Sequence, residues 1–280
     1  MNAGTHRDSV DRRRQGIINV SISSASALLM TTDIRVTHCV TEELDAKAVR
    51  DAMETLSDEE RRRCARLLHE RDRRDFAVAH ALLRHSLSAS GTLAPHEWTF
   101  VEAAHGKPSL PPGLADRERL SFNLAHTNGL VACCVACDAD VGIDVEAIAP
   151  SIDMVGLATR FFSPAEAADL ERCAELVRPA RFAELWTLKE AYVKARGDGL
   201  ARALDRFAFR FQDSSLLEFD MDIDDASSRW TFALFAPTDR HRMAVAVNSR
   251  IGSECRIDVC ATGPDGSLSV GRNDPIRRLR

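Results

Sequence analysis

No stretch of this chain approaches the ~20 consecutive apolar residues that a membrane-spanning helix requires, so no segment reads as a helical membrane anchor. Nor is there a surplus of positive charge: the formal net charge is −5 over 280 residues, which gives no general attraction to nucleic acid or anionic membrane and makes any phosphate binding local. The eight cysteines are spread along the chain without the density of a small disulfide scaffold. Cys134 and Cys137 have C-x-x-C spacing, but no second pair and no nearby pair of histidines completes a zinc site. They read as buried strand cysteines, and the whole set as the reduced thiols of a cytoplasmic protein. A convincing internal repeat is also lacking.

What is present is ordinary globular composition, 45% hydrophobic and 28% charged, with room for one large domain or two of about 100 to 150 residues. Residues 16–30 follow Arg12-Arg13-Arg14 and are moderately apolar, in faint likeness to a secretion signal. Asn19 and four serines interrupt them, so residues 1–32 are expected to be a flexible extension, or the start to lie at Met30. Residues 251–280 turn rich in Gly, Ser, Asp and Arg from Gly263 onward and are expected to be disordered.

Between these ends, Ile34, Val36 and Cys39-Val40 suggest a first strand. Ser57 as N-cap, with Glu60 three residues on, predicts a helix start with a capping box. The arginine-rich stretch that follows reads mostly as a solvated face, with one or two cations left for phosphate. A packed helix is predicted over Phe76 to Ser88 and a strand over Trp98 to Val101. His105-Gly106-Lys107-Pro108 has the makings of an anion-contacting turn. Asn123, His126 and Thr127 gather just before the apolar strand Leu130 to Ala136. Ser163, Pro164 and Glu166 open a further helix, and another runs from about Arg181 to Arg196, stopped by Gly197 and Gly199. On it Trp186, Glu190 and Lys194, spaced four apart, share one stripe. Closing strands are expected at Phe207 to Phe211, Trp230 to Phe235 and Met243 to Val247.

The centre of the pattern is Val141-Gly142-Ile143-Asp144-Val145-Glu146. In a strand alternate residues share a face, so Asp144 and Glu146 point the same way. Two carboxylates side by side near a core are costly unless a cation lies between them. A strand with one solvated face explains the pattern without a metal. Glu190 as a third carboxylate, with Lys189 and Lys194 beside it, favours the site.

In this order, Gly106-Lys107-Pro108, Phe122-Asn123-Leu124-Ala125-His126-Thr127, Gly142 to Glu146, Arg160-Phe161-Phe162-Ser163 and Trp186 to Lys194 closely resemble the 4′-phosphopantetheinyl transferases, in particular the larger, pseudo-dimeric type that activates peptide and polyketide synthases. The resemblance covers roughly Asp33 to Asn248. It implies an α+β fold of two similar α/β halves with pseudo-twofold symmetry, residues 33–138 and 139–250, and an active site in the cleft between them. It also implies a monomer that needs no nucleic acid or membrane and uses coenzyme A, Mg²⁺ and an apo acyl or peptidyl carrier protein. Asp144, Glu146 and Glu190 are then the expected metal ligands. Arg63, Lys107, Pro108, His126, Thr127, Lys189 and Lys194 are the expected coenzyme A contacts, with Arg73 or Arg74 as a further cation. Asp144, Glu190 and Lys194 are the expected catalytic groups, Glu190 as base and Lys194 as proton donor to the leaving group. The chain departs from the family at Ala125, where the family often has serine, so that phosphate contact does not carry over. Two other readings stay open, a catalytically silent module that binds coenzyme A or a carrier domain, and a metal-dependent phosphohydrolase.

Overall fold

The computed structural model describes residues 31–102, 108–149, 152–197, 203–211, 217–221, 230–249, 254–272 and 277–279. In chain order the elements are β1 (Thr31–Val40), α1 (Ala46–Thr55), α2 (Asp58–Ala65), α3 (Glu70–Ser88), β2 (Val101–Glu102), β3 (Pro108–Ser109), α4 (Pro112–Glu118), β4 (Leu120–Thr127), β5 (Leu130–Cys137) and β6 (Asp140–Ala147). They continue with α5 (Met154–Phe161), α6 (Pro164–Arg172), α7 (Arg178–Arg196), β7 (Phe207–Phe211), β8 (Leu217–Met221), β9 (Trp230–Phe235), β10 (His241–Asn248), β11 (Glu254–Thr262), β12 (Leu268–Arg272) and β13 (Arg277–Leu279).

Two larger sheets result, in strand orders β12-β11-β1-β5-β4 and β13-β9-β10-β6. The period of two explains how they stack. On β5, Leu130, Ala132, Cys134 and Ala136 join Ile34 and Val36 of β1 in a core shared with Val141, Ile143 and Val145 of β6 and Val245 of β10. The alternate residues Val131, Cys133 and Val135 face the other way, against Leu82, Leu83 and Leu87 of α3. With both faces buried, β5 is apolar throughout. The outer face of the second sheet, with Phe232, Leu234, Ala244 and Ala246, packs on α7 through Leu188, Ala191 and Tyr192. The layers therefore run helix, sheet, sheet, helix. Cys134 lies in the shared core, while Cys137, at the end of β5, is exposed rather than buried.

Both helix starts read from capping boxes are present. Ser57 and Ser163 cap α2 and α6, with Glu60 and Glu166 closing the boxes. Helix α7 ends where Gly197 takes φ +75° and its N–H bonds to the Val193 carbonyl.

Three expectations need correction. Helix α3 begins at Glu70, not Phe76. Only Val101–Glu102 of the strand expected from Trp98 is paired, because Trp98 instead buries its ring and donates its indole N–H to Ser88 Oγ at 2.9 Å. And residues 254–262, assigned to a disordered tail, form β11, paired in parallel with β1 from Thr31 to His38. Ile257 and Val259 enter the shared core, and this burial holds the strand. Residues 1–30 lie outside the described residues.

Candidate functional site

With Val141, Ile143 and Val145 turned into the shared core, the alternate residues Gly142, Asp144 and Glu146 face α7. Gly142 makes this approach possible: a Cβ there would overlap the carbonyl oxygen of Ala191 and the amide nitrogen of Ala195. On the neighbouring strand β10, Ala244 and Ala246 stand opposite Asp144 and Gly142. Small residues on both strands thus let α7 lie close against the sheet. The helix presents Trp186, Glu190 and Lys194 on its partly exposed stripe, as their spacing requires.

The result is a buried cluster of charge. Lys194 Nζ donates to Asp144 Oδ1 at 2.6 Å. The other oxygen of Asp144, Oδ2, is buried and has no hydrogen-bond partner of good geometry among the described residues. Burial pushes the Asp144 carboxyl up to about 6, with Lys194 opposing and Glu190 adding to the rise. Glu146 is raised to about 7, by burial first and then by the charge of Asp144. Burial raises Glu190 as well, against the pull of Lys194. Among the described residues no three His, Cys, Asp or Glu side chains are pre-assembled as a metal cage. Magnesium does not ask for one, since it keeps several waters and takes one or two carboxylates plus substrate phosphates. A buried carboxylate oxygen without a partner, beside two carboxylates that resist ionising together, fits a hard divalent cation.

A cleft of about 1190 Å³ lies in the N-terminal half, all of its lining drawn from residues 57–128. Arg63, Pro108, His126 and Thr127, four of the expected coenzyme A contacts, all line it. The carboxylates do not. The His126 imidazole is held below its usual value by burial first, with Asp75 opposing and the charge of Lys194 lowering it further. Lys107 falls outside the described residues. Arg73 is committed elsewhere, donating to the carbonyls of Leu67 and Leu68 at 2.8 and 3.0 Å, and Arg74 pairs with Asp75 at 3.1 Å. Ala125 points into the shared core, so a hydroxyl at that position would face away from His126 and the cleft.

Lys189 is a correction. It is fully buried and donates to the carbonyls of Leu204 and Phe207 at 2.7 and 2.8 Å, and it pairs with Glu166 Oε2 at 2.7 Å. One residue is about 100° of helix rotation, which turns Lys189 off the Glu190 and Lys194 stripe. It fastens α7 to α6 and β7 and does not reach the cleft. Asn123 is likewise structural, its Oδ1 accepting from the Ile143 N–H at 2.8 Å and tying β4 to β6.

The cleft wall contains a group that patterning did not reveal. Glu60 accepts from Ser57 N–H at 2.7 Å and from Arg84 at 2.8 Å, and meets His80 Nδ1 at 2.9 Å. Arg84 in turn donates to the carbonyls of Pro95 and Trp98. The capping box accounted for Glu60 alone. Its partners, 20 and 24 residues on, leave no local signal. Burial raises the Glu60 carboxyl, but His80, Ser57 and Arg84 overcome this and hold it at about 2. Because its folded value lies below the usual 4.5, the stabilisation is complete above pH 4.5 and lost as pH falls toward 2. At 1.36 kcal/mol per unit this is about 3 kcal/mol. Glu60→Gln is expected to flatten the fall in unfolding free energy over that window, measured by denaturant titration; an unchanged slope would contradict the assignment.

Two family models match the chain. One described as 4′-phosphopantetheinyl transferase superfamily covers residues 140–246, and one described as 4′-phosphopantetheinyl transferase, N-terminal, covers residues 45–138. Among curated relatives, the 4′-phosphopantetheinyl transferase ffp of Bacillus subtilis is 30% identical over 60% of this chain and 72% of its own length. A second Bacillus subtilis 4′-phosphopantetheinyl transferase is 28% identical over 76% and 85%, respectively. The 4′-phosphopantetheinyl transferase HetI of Nostoc sp. is 36% identical over 55% of this chain and 65% of its own length. Motif order, the carboxylate face of β6 against α7 and these likenesses agree: the chain belongs to the 4′-phosphopantetheinyl transferase superfamily.

Proposed function

We propose that the protein transfers the 4′-phosphopantetheine arm of coenzyme A to a serine of an apo acyl or peptidyl carrier protein, with Mg²⁺ as cofactor, and releases 3′,5′-ADP. The observation that carries this reading is Asp144, buried and fixed at one oxygen by Lys194 while the other has no hydrogen-bond partner among the described residues. Asp144, Glu146 and Glu190 would hold the metal. Bound there, Mg²⁺ would supply Lewis-acid neutralisation of pyrophosphate charge.

The chain's own residues account for the rest. Arg63, as a cation, and the imidazole of His126, as a neutral hydrogen-bond donor, border the cleft and bind and orient the phosphates. The carrier serine oxygen attacks the β-phosphorus. Its bond to the bridging oxygen breaks, and the electron pair leaves with 3′,5′-ADP. Glu190 accepts the serine proton, and Lys194 Nζ stabilises charge on the leaving oxygen and supplies its proton. Lys194 is held on the cluster side by its bond to Asp144 and is not among the residues that line the cleft.

The test is direct. Incubated with coenzyme A, Mg²⁺ and an apo carrier, the protein should raise the carrier mass by one phosphopantetheine arm. Binding of coenzyme A without a mass gain would mean a silent module, and hydrolysis of coenzyme A without a gain a phosphohydrolase. In the same assay Lys194→Ala should lower kcat about 100-fold, the scale of losing one charge-stabilising donor, with a smaller change in KM for coenzyme A. A rise in KM with kcat unchanged would make Lys194 a simple binding residue.

A further inference from the structure

The hairpin between β4 and β5 turns at Asn128-Gly129, and His126, Thr127 and Asn128 on its near side all line the cleft. Gly129 has φ +83°, while Asn128 is not among the residues of positive φ. That combination belongs to a type II turn, not to the primed turns that suit a two-residue hairpin. Types I and II differ by a flip of the central peptide, the one that carries the Asn128 carbonyl and the Gly129 N–H. Gly129 permits this orientation, but the twist of the paired strands works against it, so a contact from outside the hairpin would help to hold it.

His241, at the start of β10, reaches that peptide. It is 2% exposed, and its Nε2 lies 3.0 Å from the Asn128 carbonyl oxygen. A carbonyl only accepts, so Nε2 carries the proton. Nδ1 sits 2.7 Å from Thr238 Oγ1, which itself accepts the Arg240 N–H at 3.1 Å and so turns its hydroxyl proton to the ring. The ring is thereby held as one tautomer with its donor aimed at the turn. The far side of the turn is fixed separately by Thr41 N–H, which donates to Gly129 O at 2.9 Å.

We propose that His241 is a positioning residue for the cleft: by donating to Asn128 O it holds the central peptide of the turn in the type II orientation and with it the cleft wall formed by His126, Thr127 and Asn128. In a trans peptide the Gly129 N–H points opposite to the Asn128 carbonyl. A flip would exchange donor and acceptor at the rim of a cleft that takes an anionic ligand. The inference rests on the proposed use of coenzyme A, and it predicts an effect on anion binding that exceeds the effect on the chemical step.

The experiment compares wild type, His241→Phe, His241→Gln and Thr238→Val in carrier loading, with inhibition by 3′,5′-ADP as a binding readout. His241→Phe should raise KM for coenzyme A and the inhibition constant of 3′,5′-ADP together, about tenfold, with kcat within twofold. His241→Gln, which restores an N–H donor, should recover most of the affinity. Thr238→Val, which frees the ring tautomer and otherwise removes only an exposed acceptor for the Arg240 N–H, should fall between. Wild-type KM in both His241→Phe and Thr238→Val would overturn the inference and leave the proposed function standing. So would a loss confined to kcat, or failure of His241→Gln to improve on His241→Phe. If His241→Phe does not fold, Thr238→Val decides in the same way. A wild-type protein that does not load carriers would overturn the proposed function and the inference with it.

Discussion

Asp144→Ala is expected to abolish carrier loading, by about 10³-fold or more, while the protein stays folded. The loss follows from the position of the side chain. Asp144 is the buried member of the cluster, and its Oδ2 has no hydrogen-bond partner among the described residues. Removing a ligand of a metal that neutralises phosphate charge forfeits several kcal/mol of transition-state stabilisation, and each 1.36 kcal/mol is a factor of ten in rate. The fold should survive because burial works against the ionised carboxylate, as its rise to about 6 shows. Lys194 loses a partner, but its side chain is 30% exposed and can be hydrated. Two measurements bear on the argument. Wild type should gain thermal stability on addition of millimolar Mg²⁺ through mass action, and Asp144→Ala should not. A folded Asp144→Ala protein that loads carriers at the wild-type rate in Mg²⁺ would sink the metal assignment.

Gly142→Ala should also be damaging, for a different reason. The added methyl group meets the Ala191 carbonyl oxygen and the Ala195 amide nitrogen, both backbone atoms of α7 and neither free to swing aside. Overpacking of this kind typically costs about 1–3 kcal/mol and occasionally more, and the upper end is expected because the helix as a whole must shift. The shift acts where β6 and α7 exchange the bond between Asp144 and Lys194. Loading should therefore fall by at least about 100-fold even at temperatures where the variant remains folded. Denaturant unfolding together with the loading assay separates the two effects. Wild-type stability in Gly142→Ala would show that the helix does not lie as close as described.

Much of this was legible in the sequence because its causes are local. The alternation of Val141, Ile143 and Val145 with Gly142, Asp144 and Glu146 sets the two faces of β6 wherever that strand lies. The spacing of Trp186, Glu190 and Lys194 does the same for one stripe of α7. The capping boxes at Ser57 and Ser163 depend on three residues each, and both are in place. Composition misled at the C-terminal end. Polar residues after Gly263 coloured the reading of the whole tail, although Ile257 and Val259 alternate as strand residues do.

What the sequence by itself determined is which residues share a face: the carboxylates of β6 and the charged stripe of α7. Tertiary structure alone decided what each face meets. It separated Lys189 from Lys194, two cations on one helix, sending the first to Glu166 in the core and the second to Asp144. It placed Glu60 against His80 and Arg84, and it brought His241 to a turn 113 residues earlier in the chain. Periodicity fixes direction along one element, because the backbone repeats every two or 3.6 residues. The partner across a gap depends on how separate elements pack, and no repeat within one of them records that.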